Sequence, residues 1–326
     1  GVVMKRRLKM LTNLVLEGYS LKKEEAMWLY EIPLEQLARE ANKIRQYYCA
    51  NHFDLCTIIN GKSGRCSENC RFCAQSSHYH TDSKIYTLLS DEAIIEDAKK
   101  NARQGVLRYS IVTAGRTLPD DEIDQMCETI KKIKKECQLS ICASFGLLNQ
   151  AQYQKLQLAG VERIHNNLEA SERFFPSVCT THSFQDKIKA IQAAQAVGLD
   201  VCSGGIMGLG ESIEDRIDMA LSLRTLKIES VPINMLNPIL GTPMENQPRL
   251  TLEELCKIVA IYRFLLPKAF IRLAGGRGLL EDKGRACFLS GANAAISGDM
   301  LTTSGITVKS DKRMLKDLNY QLVKVH

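Results

Sequence analysis

The stretch FDLCTIIN, residues 53–60, decides the fold, because it is the first of eight apolar, strand-like runs that alternate with helical ones. The other strand-like runs are 107–114, 139–145, 163–168, 200–205, 231–236, 269–274 and 292–297. Helical runs lie near residues 91–104, 120–137, 149–159, 183–197, 212–226, 251–266 and 279–288. This alternation predicts an α/β protein with a parallel (β/α)8 TIM-type barrel, and a doubly wound open sheet is the alternative. In a barrel, the chemistry belongs at the C-terminal mouth.

Outside these runs, the pattern suggests three segments. Residues 1–50 are predicted to form an N-terminal helical cap, because apolar residues recur along 4–48 at helical spacing. Residues 51–305 form the predicted barrel. Residues 306–326 are polar and Lys-rich, which predicts a C-terminal tail.

Composition excludes several classes of function. The net charge is only +6, from 43 basic and 37 acidic residues, so nucleic-acid binding is not indicated, although an acidic electron-transfer partner would suit it. No apolar run is long enough for a membrane span, and no N-terminal apolar run precedes a cleavage site. The 12 cysteines therefore suggest metal binding or catalysis in a reducing cytoplasm rather than a disulfide scaffold.

Directly after the first strand comes the cysteine-rich stretch CSENCRFC, residues 66–73, with the spacing C-x3-C-x2-C. Thiolates at this spacing select zinc, Cu(I) or an iron–sulfur cluster. Structural zinc needs four ligands, and the next candidates are His78 and His80, so a zinc knuckle is the alternative. Three thiolates on a cubane would leave one iron open to a substrate.

With Phe72 before its third cysteine, this triplet resembles that of the radical S-adenosylmethionine (SAM) enzymes. A second stretch, GGIMGLGE at residues 204–211, is similar to the G-x-I-x-G-x-x-E segment that these enzymes place against the SAM adenine. Its matching residues are Gly204, Ile206, Gly208 and Glu211. A glycine run alone would also fit a simple turn. The resemblance implies a 4Fe–4S cluster, chelated by SAM at its open iron and held by Cys66, Cys70 and Cys73.

Six further strings resemble the biotin synthases, and they occur in order between residues 50 and 305. They are NLE at 167–169, VCSGG at 201–205, VPINML at 231–236, IRL at 271–273, GAN at 291–293 and LTT at 301–303. The resemblance implies a cytoplasmic, usually homodimeric sulfurtransferase that takes electrons from a flavodoxin- or ferredoxin-type donor. It would generate a 5′-deoxyadenosyl radical from SAM and insert sulfur into dethiobiotin to form biotin.

The same resemblance implies roles for single residues. The SAM-binding set would be Phe72, Asn167, Glu169, Lys187, Gly204, Ile206 and Gly208. The dethiobiotin-binding set would be Asn167, Asn234, Thr302 and Thr303, with the amides on the ureido ring and the threonines on the carboxylate. Asn234 could instead satisfy a strand end, and the two threonines could form a turn. Lys187 stands where the family usually has Arg, and it keeps the charge but loses the bidentate fork.

The auxiliary-cluster ligands depart from the family pattern. Most members hold a 2Fe–2S cluster with three Cys and one Arg, and here three of those positions are Cys142, Cys202 and Arg272, but the fourth is Ser110. Cys56 lies on the adjacent first strand. We therefore expect Cys56, Cys142, Cys202 and Arg272 to form the auxiliary site, with a four-iron cluster carrying an extra sulfide favoured over 2Fe–2S. Alternatively, Cys56 is only a buried apolar residue.

The remaining cysteines match no ligand position and are predicted to be structural: Cys49, Cys127, Cys137, Cys179, Cys256 and Cys287. No residue stands out as a catalytic acid or base. Two other functions remain open. A hydrogenase maturase-like radical SAM enzyme should lack the auxiliary cysteines and the Asn234 string, and an iron–sulfur electron carrier would not need the SAM strings.

Overall fold

Parallel strands form the centre of the computed structural model, which describes residues 1–298 and 306–324. The strands are β1 His52–Lys62, β2 Arg108–Thr113, β3 Ser140–Ser144, β4 Val161–His165, β5 Asp200–Cys202, β6 Gly205–Met207, β7 Ser230–Met235, β8 Phe270–Leu273, β9 Ala294–Ser297 and β10 Gln321–Leu322. Because β5 and β6 both pair with β7, they act as two halves of one barrel strand. Strand β9 pairs back onto β1 and closes the ring. The eight-stranded barrel is confirmed, and the open sheet is excluded.

Helices surround the barrel. They are α1 Val2–Leu16, α2 Lys23–Leu29, α3 Leu34–Cys49, α4 Asp91–Arg103, α5 Asp120–Glu136, α6 Gln150–Ala159, α7 Phe184–Ala196, α8 Ile213–Thr225, α9 Leu252–Leu265, α10 Arg285–Phe288 and α11 Val308–Asp317. Side chains of Asn149, Ser183, Ser212 and Thr251 cap the first turns of α6 to α9. Within the described residues, no helix has both the length and the apolarity needed to cross a membrane.

The predicted helical extension packs on α8 and α9 through helices α1 to α3. Leu11 and Val15 are buried on its inner face. Lys23 forms an ion pair of 2.6 Å with Glu214, and Arg224 donates to the carbonyl of Leu21. The extension is therefore fixed to one side of the barrel by apolar packing and by polar contacts.

One predicted helix, 279–288, is wrong. Only a short 3-10 turn, Arg277–Leu279, and the four-residue α10 occur there. The cause is Gly284, which has a φ of +98° and whose amide donates to the Asp282 carboxylate. A Cβ at Gly284 would lie 2.6 Å from Leu273, so the chain must turn at a glycine here.

The C-terminal segment is more than the polar tail indicated by its composition. Helix α11 carries the buried Asp311, which accepts two hydrogen bonds from the buried Arg277 and one from Ser297. Strand β10 then pairs in parallel with the start of β1. These contacts fix the C-terminal segment to the barrel. The prediction of a tail was wrong because composition gives no sign of a single buried ion pair.

Candidate active site

The cysteine loop follows β1 at the C-terminal mouth of the barrel and is closed by backbone hydrogen bonds. The Cys66 amide donates to the Gln75 carbonyl at 3.0 Å, and the Ser77 amide donates to the Cys66 carbonyl at 2.7 Å. The side-chain oxygen of Gln75 accepts from Ser63 and from the amide of Gly64, which has a φ of +75°. Gln75 therefore organises the loop, a role that the cysteine spacing did not reveal.

The three loop thiols are half-buried and lie near one another. The amide of Cys73 donates to the carbonyl of Cys70 in a tight turn. Burial raises the pKa of the Cys73 thiol to about 11, and the neighbouring charges of Cys66 and Glu169 act in the same direction. Of the three, Cys70 shares a hydrogen bond with the neighbouring Cys179, which raises the pKa of Cys70. Three thiols gathered in one short loop suit a cluster, which takes them as thiolates.

Cys179 lies beside this triplet, although the sequence suggested only a structural cysteine. The ligand atoms of Cys70, Cys179 and His182 all lie within 4.8 Å of one another. The His182 ring is 2.6 Å from the Glu68 carboxylate. Although burial opposes it, hydrogen bonds with Cys179 and Glu68 raise the pKa of His182. The C-x2-H spacing at 179–182 was the signal that could have revealed this contact.

A cavity of about 370 Å³ runs from the cysteine loop down into the barrel. Its upper part is lined by the predicted cluster ligand Cys73 and by predicted SAM and substrate residues, namely Phe72, Asn167, Glu169, Ile206 and Asn234. Its lower part is lined by Cys56, Cys142, Cys202 and Arg272. One continuous space therefore joins the two predicted cluster sites.

Glu169 contributes a carboxylate with one unsatisfied oxygen to this cavity. Its backbone has a φ of +70° and pairs with the strand that begins at Gly205. Its Oε2 atom is buried and has no hydrogen-bond partner among the described residues. Burial raises its pKa, although the charge of Lys187 opposes the shift. A buried acceptor without a partner fits a ligand that carries hydroxyl groups, such as a ribose.

Gly204 and Gly208 shape the backbone beside Glu169 rather than line the cavity. A Cβ at Gly204 would lie 1.9 Å from the Pro232 carbonyl oxygen, so only glycine fits there. Gly208 has a φ of +94°, and its amide donates to Glu211. The carboxylate of Glu211 also accepts from the Leu209 amide and from Arg216, so the turn is closed by Glu211 and joined to α8.

Two predicted SAM residues are apolar and lie in one cluster at the mouth. Phe72 and Ile206 pack against the buried residues Leu209, Leu236 and Met244. Both also line the cavity. This surface fits a flat aromatic ring such as adenine. Lys187 lies outside this cluster, on α7, and its ammonium donates to the Asn166 side chain at 3.3 Å.

The two predicted substrate asparagines are held by backbone groups. Asn167 accepts from the Gly204 amide at 3.1 Å. Asn234 donates to the Gly205 carbonyl and accepts from the Gly275 amide at 2.8 Å. Asn234 keeps a second hydrogen and a second lone pair for a ligand. The Asn167 oxygen also contacts the His165 ring at 3.0 Å, so only the NH2 group of Asn167 remains for a ligand. The other two substrate residues, Thr302 and Thr303, lie outside the described residues.

The four predicted auxiliary ligands lie in one layer of the barrel interior. On β3, two strands away from β1, the residue in register with Cys56 lies two positions before Cys142. The same advance of two residues leads from Cys142 to Cys202, from Cys202 to Arg272, and from Arg272 back to Cys56. Alternate strands of a TIM barrel contribute the four side chains of each interior layer in this way. The layer is composed of three thiols and one guanidinium.

The layer residues contact one another and the neighbouring strand. Arg272 Nη1 lies 3.5 Å from the sulfur of Cys56, and Cys202 Sγ lies 3.2 Å from the hydroxyl of Ser230. Burial raises the pKa of Cys56 to about 11, although the charge of Arg272 opposes the shift. Ser110 pairs in register with Cys142 but belongs to an even-numbered strand, so it lies in the neighbouring layer.

Beneath the layer, one buried carboxylate holds three guanidinium groups. Asp54 accepts from Arg272 at 2.6 Å, from Arg163 at 3.2 Å and from Arg108 at 3.3 Å. Although burial alone would raise it, these charges hold the pKa of Asp54 well below its usual range. The surplus of positive charge suits thiolates in the layer above. The sequence contained a signal for this buried charge cluster: on each of β1, β2 and β4, a charged residue lies two positions before a residue that faces the barrel interior.

Comparisons with known proteins agree with this site. Residues 62–223 match the Radical SAM superfamily, and residues 232–321 match the Biotin and Thiamin Synthesis associated domain. The chain is 57% identical over 323 residues to a biotin synthase of Brachyspira hyodysenteriae, covering 98% of this chain and 97% of that protein. It is 52% identical over 312 residues to a biotin synthase of Akkermansia muciniphila, covering 96% and 97%.

Solved structures of lower identity share the fold. Methylornithine synthase superposes with a TM-score of 0.85 at 23% identity, covering 96% of this chain and 97% of that one. The FeFe-hydrogenase maturase HydG of Carboxydothermus hydrogenoformans has a TM-score of 0.83 at 18% identity, covering 98% and 79%. At these identities the likeness concerns the barrel alone, whereas the relatives above match along nearly their whole length. From these full-length matches, the chain belongs to the biotin synthase family of radical SAM enzymes.

Proposed function

We propose that this chain forms biotin by inserting sulfur into dethiobiotin, with SAM bound near the loop triplet and the sulfur held at the Cys56–Cys142–Cys202 layer. The observation that supports this division is the single cavity lined by Cys73 at one end and by the layer at the other. A substrate between them would lie within reach of both ends. The hydrogenase maturase-like alternative has less support, because the chain carries the auxiliary thiols and the Asn234 string.

The roles of the residues follow from their positions. Cys66, Cys70 and Cys73 would hold the 4Fe–4S cluster. When bound, this cluster and SAM supply the radical, and the auxiliary iron–sulfur cluster supplies the sulfur. Glu169 would accept from the SAM ribose. The barrel walls orient the substrate and exclude water, which is how a protein contributes when cofactors carry the hard chemistry.

Substrate orientation would depend on Asn167 and Asn234. Both amides are fixed by backbone hydrogen bonds, so little side-chain freedom is lost when a ligand binds. Asn234 can both donate and accept, and Asn167 can donate, which matches the N–H and C=O groups of a ureido ring. We assign the substrate carboxylate to Thr302 and Thr303 from the family resemblance.

For the auxiliary site, we favour a four-iron cluster with an extra sulfide. Three thiols from one interior layer, with Arg272 as the fourth member, leave room for one iron without a thiolate. The alternative is a 2Fe–2S cluster in which Cys56 takes the part of Ser110. Iron counts separate them, because two four-iron clusters give about eight irons per chain and the alternative gives about six.

The test uses the anaerobically reconstituted protein with Cys56→Ser and a matched control, Cys137→Ser, at the distant end of α5. We expect Cys56→Ser to lose the auxiliary iron in Mössbauer spectra and to stop forming biotin, while 5′-deoxyadenosine still appears. The control should retain both products. If Cys56→Ser keeps the full auxiliary signal, Cys56 is not a ligand.

An electron donor and a second subunit complete the proposal. Arg65 and Arg71 are exposed within the cysteine loop, which suits an acidic flavodoxin- or ferredoxin-type donor. Raising the salt concentration should therefore slow reduction by such a donor but not by dithionite.

The homodimer is inferred from the family, and light scattering of the purified protein tests it.

A further inference from the structure

A second cavity, of about 420 Å³, lies at the N-terminal end of the barrel, on the other side of the thiol layer from the cysteine loop. Two buried side chains, Arg163 and Ser230, line its inner part. Its outer part is lined by the exposed charged residues Asp200, Lys227, Glu229 and Lys268. We call it the lower cavity, and the one below the cysteine loop the upper cavity.

Arg163 is the wall between the two cavities, because it lines both of them. Its side chain is only 5% exposed. Its Nη1 atom donates to Asp54, but its buried Nε–H has no partner among the described residues. A buried donor of a charged group is costly to leave unpaired, so the position favours an anion or a polar occupant.

Ser230 provides a second link through the same wall. It lines the lower cavity, yet its hydroxyl lies 3.2 Å from the sulfur of Cys202 and 3.3 Å from Nη2 of Arg272. The lower cavity is therefore separated from the thiol layer by single side chains. The lower cavity approaches the layer without passing the predicted SAM and dethiobiotin residues.

The charges around the lower cavity favour a small anion. Arg163, Lys227 and Lys268 contribute three positive charges, against two negative charges from Asp200 and Glu229. The innermost of these groups is Arg163, whereas both carboxylates are exposed. An anion would thus be drawn inward toward the guanidinium.

We propose that the lower cavity admits hydrosulfide and passes it between Arg163 and Ser230 to the Cys56–Cys142–Cys202 layer, so that consumed sulfide is replaced from the N-terminal end of the barrel. This inference rests on the proposed function, which places the sulfur source at that layer. Hydrosulfide crosses as an ion beside Arg163, and no bond is made or broken during the passage. Renewal then need not wait for the mouth of the barrel to empty.

The experiment measures uptake of isotopically labelled hydrosulfide by the reconstituted protein, as acid-labile label that remains after gel filtration. Leu226→Trp is the blocking variant, because Leu226 is half-buried and lines the lower cavity but not the upper one. Leu158→Trp, at an exposed position on α6, is the matched control. Cys56→Ser measures the background exchange at the loop cluster.

We expect Leu226→Trp to slow uptake above background about tenfold at unchanged iron content, because a close-packed indole leaves no void for a solute. Leu158→Trp should take up label as the wild type does. A second pair checks the charge without filling the cavity: Arg163→Gln should slow uptake, and Arg163→Lys should largely restore it.

Two results would overturn the route. Unchanged uptake in both Leu226→Trp and Arg163→Gln, with wild-type iron content, means that sulfide enters elsewhere, and the proposed function would stand. Absence of auxiliary iron in the wild type removes the proposed function and this inference together. The readout is label bound to the protein, so it does not depend on biotin formation.

Discussion

The two sets of three thiols differ in how the chain brings them together. The loop thiols lie within eight residues, and backbone hydrogen bonds around Gln75 hold them half-exposed at the barrel mouth. The layer thiols come from β1, β3 and β5, and they are buried by the barrel itself. A local set can change without disturbing the fold, whereas the second set depends on the register of the entire barrel.

Their electrostatic surroundings differ as well. The loop thiols face Glu169, whose buried carboxylate opposes thiolate formation at Cys73. The layer thiols lie near Arg272 and Arg108, each within 3.5 Å of one sulfur. Burial still raises the pKa of Cys56, so these guanidinium groups only reduce the cost of negative charge at the layer, whereas at Cys73 the neighbouring charges add to that cost.

The largest effect is expected from Cys70→Ala, which removes one loop ligand. Formation of 5′-deoxyadenosine should fall to background, beyond the about 10–100-fold typical for loss of an outer-shell partner. Liquid chromatography of the products measures it. Cys179→Ala is the control, because Cys179 lies next to Cys70 but outside the triplet. If Cys179→Ala loses as much iron as Cys70→Ala, the loop set has four members and the comparison fails.

The second largest effect is expected when one thiol is moved from the layer to the neighbouring layer. The double variant Cys56→Ser/Ser110→Cys moves a thiol from the layer to a neighbouring strand and restores the common family pattern. We expect total iron to fall from about eight to about six atoms per chain, with a two-iron Mössbauer signal. Ser110→Ala is the control and should keep the full iron content. A double variant that retains all its iron would show that layer membership does not decide cluster type.

Asp54→Asn tests how strongly the layer is coupled to the fold. Removing one partner of a buried ion-pair network leaves charges uncompensated, so we expect a loss of about 3–5 kcal/mol in the free energy of unfolding. Urea unfolding of the metal-free chain, followed by Trp28 fluorescence, measures it. Glu128→Gln breaks an exposed pair with Lys131 and should cost about 0.5 kcal/mol or less. Equal effects would mean that Asp54 does not anchor the barrel floor.

The pH dependence of this contribution has a defined sign. Because the pKa of Asp54 is lowered in the folded protein, its contribution is present above the unfolded value of about 3.9 and is lost only as the pH falls further, through the lower folded value. The stability difference between wild type and Asp54→Asn should therefore stay constant between about pH 5 and 8. A difference that disappears within this range would contradict the lowered pKa.

The sequence predicted the barrel because each strand–helix unit carries its own periodicity and turn residues. It failed at 279–288, where one glycine conformation overrides helical spacing. It also failed at the C-terminal segment, which the buried pair Arg277–Asp311 and the pairing of β10 with β1 attach to the barrel. The predicted boundaries at residues 50 and 305 stay a proposal. The loop thiols follow from spacing alone, but the shared layer of Cys56, Cys142 and Cys202 needs the register, which only the closed barrel defines.

A smaller effect is expected at Glu169, on the loop side of the comparison. Glu169→Gln weakens an acceptor that we assign to the SAM ribose, and hydrogen bonds to charged groups contribute about 1.5–3 kcal/mol. The Kd for SAM should rise by about 10–100-fold in calorimetric titration of the reconstituted protein. Glu162→Gln is the control, since Glu162 also has an unpartnered buried oxygen but does not line the cavity. Equal affinity in wild type and Glu169→Gln would remove this assignment.

The smallest effect is expected at Lys187, where the chain departs from the family pattern on the loop side. Lys187→Arg would offer a carboxylate two parallel donors instead of one point charge, so the KM for SAM should fall by less than about tenfold while kcat stays constant. Lys189→Arg, two residues along the same helix and exposed, is the control and should change neither constant. A change in kcat with constant KM would mean that Lys187 acts on a later step. A modest change confined to KM would fit a loop side that tolerates substitution of a half-exposed contact, in contrast to the layer, where the thiol neighbours Arg272 and Arg108 also bind the buried Asp54.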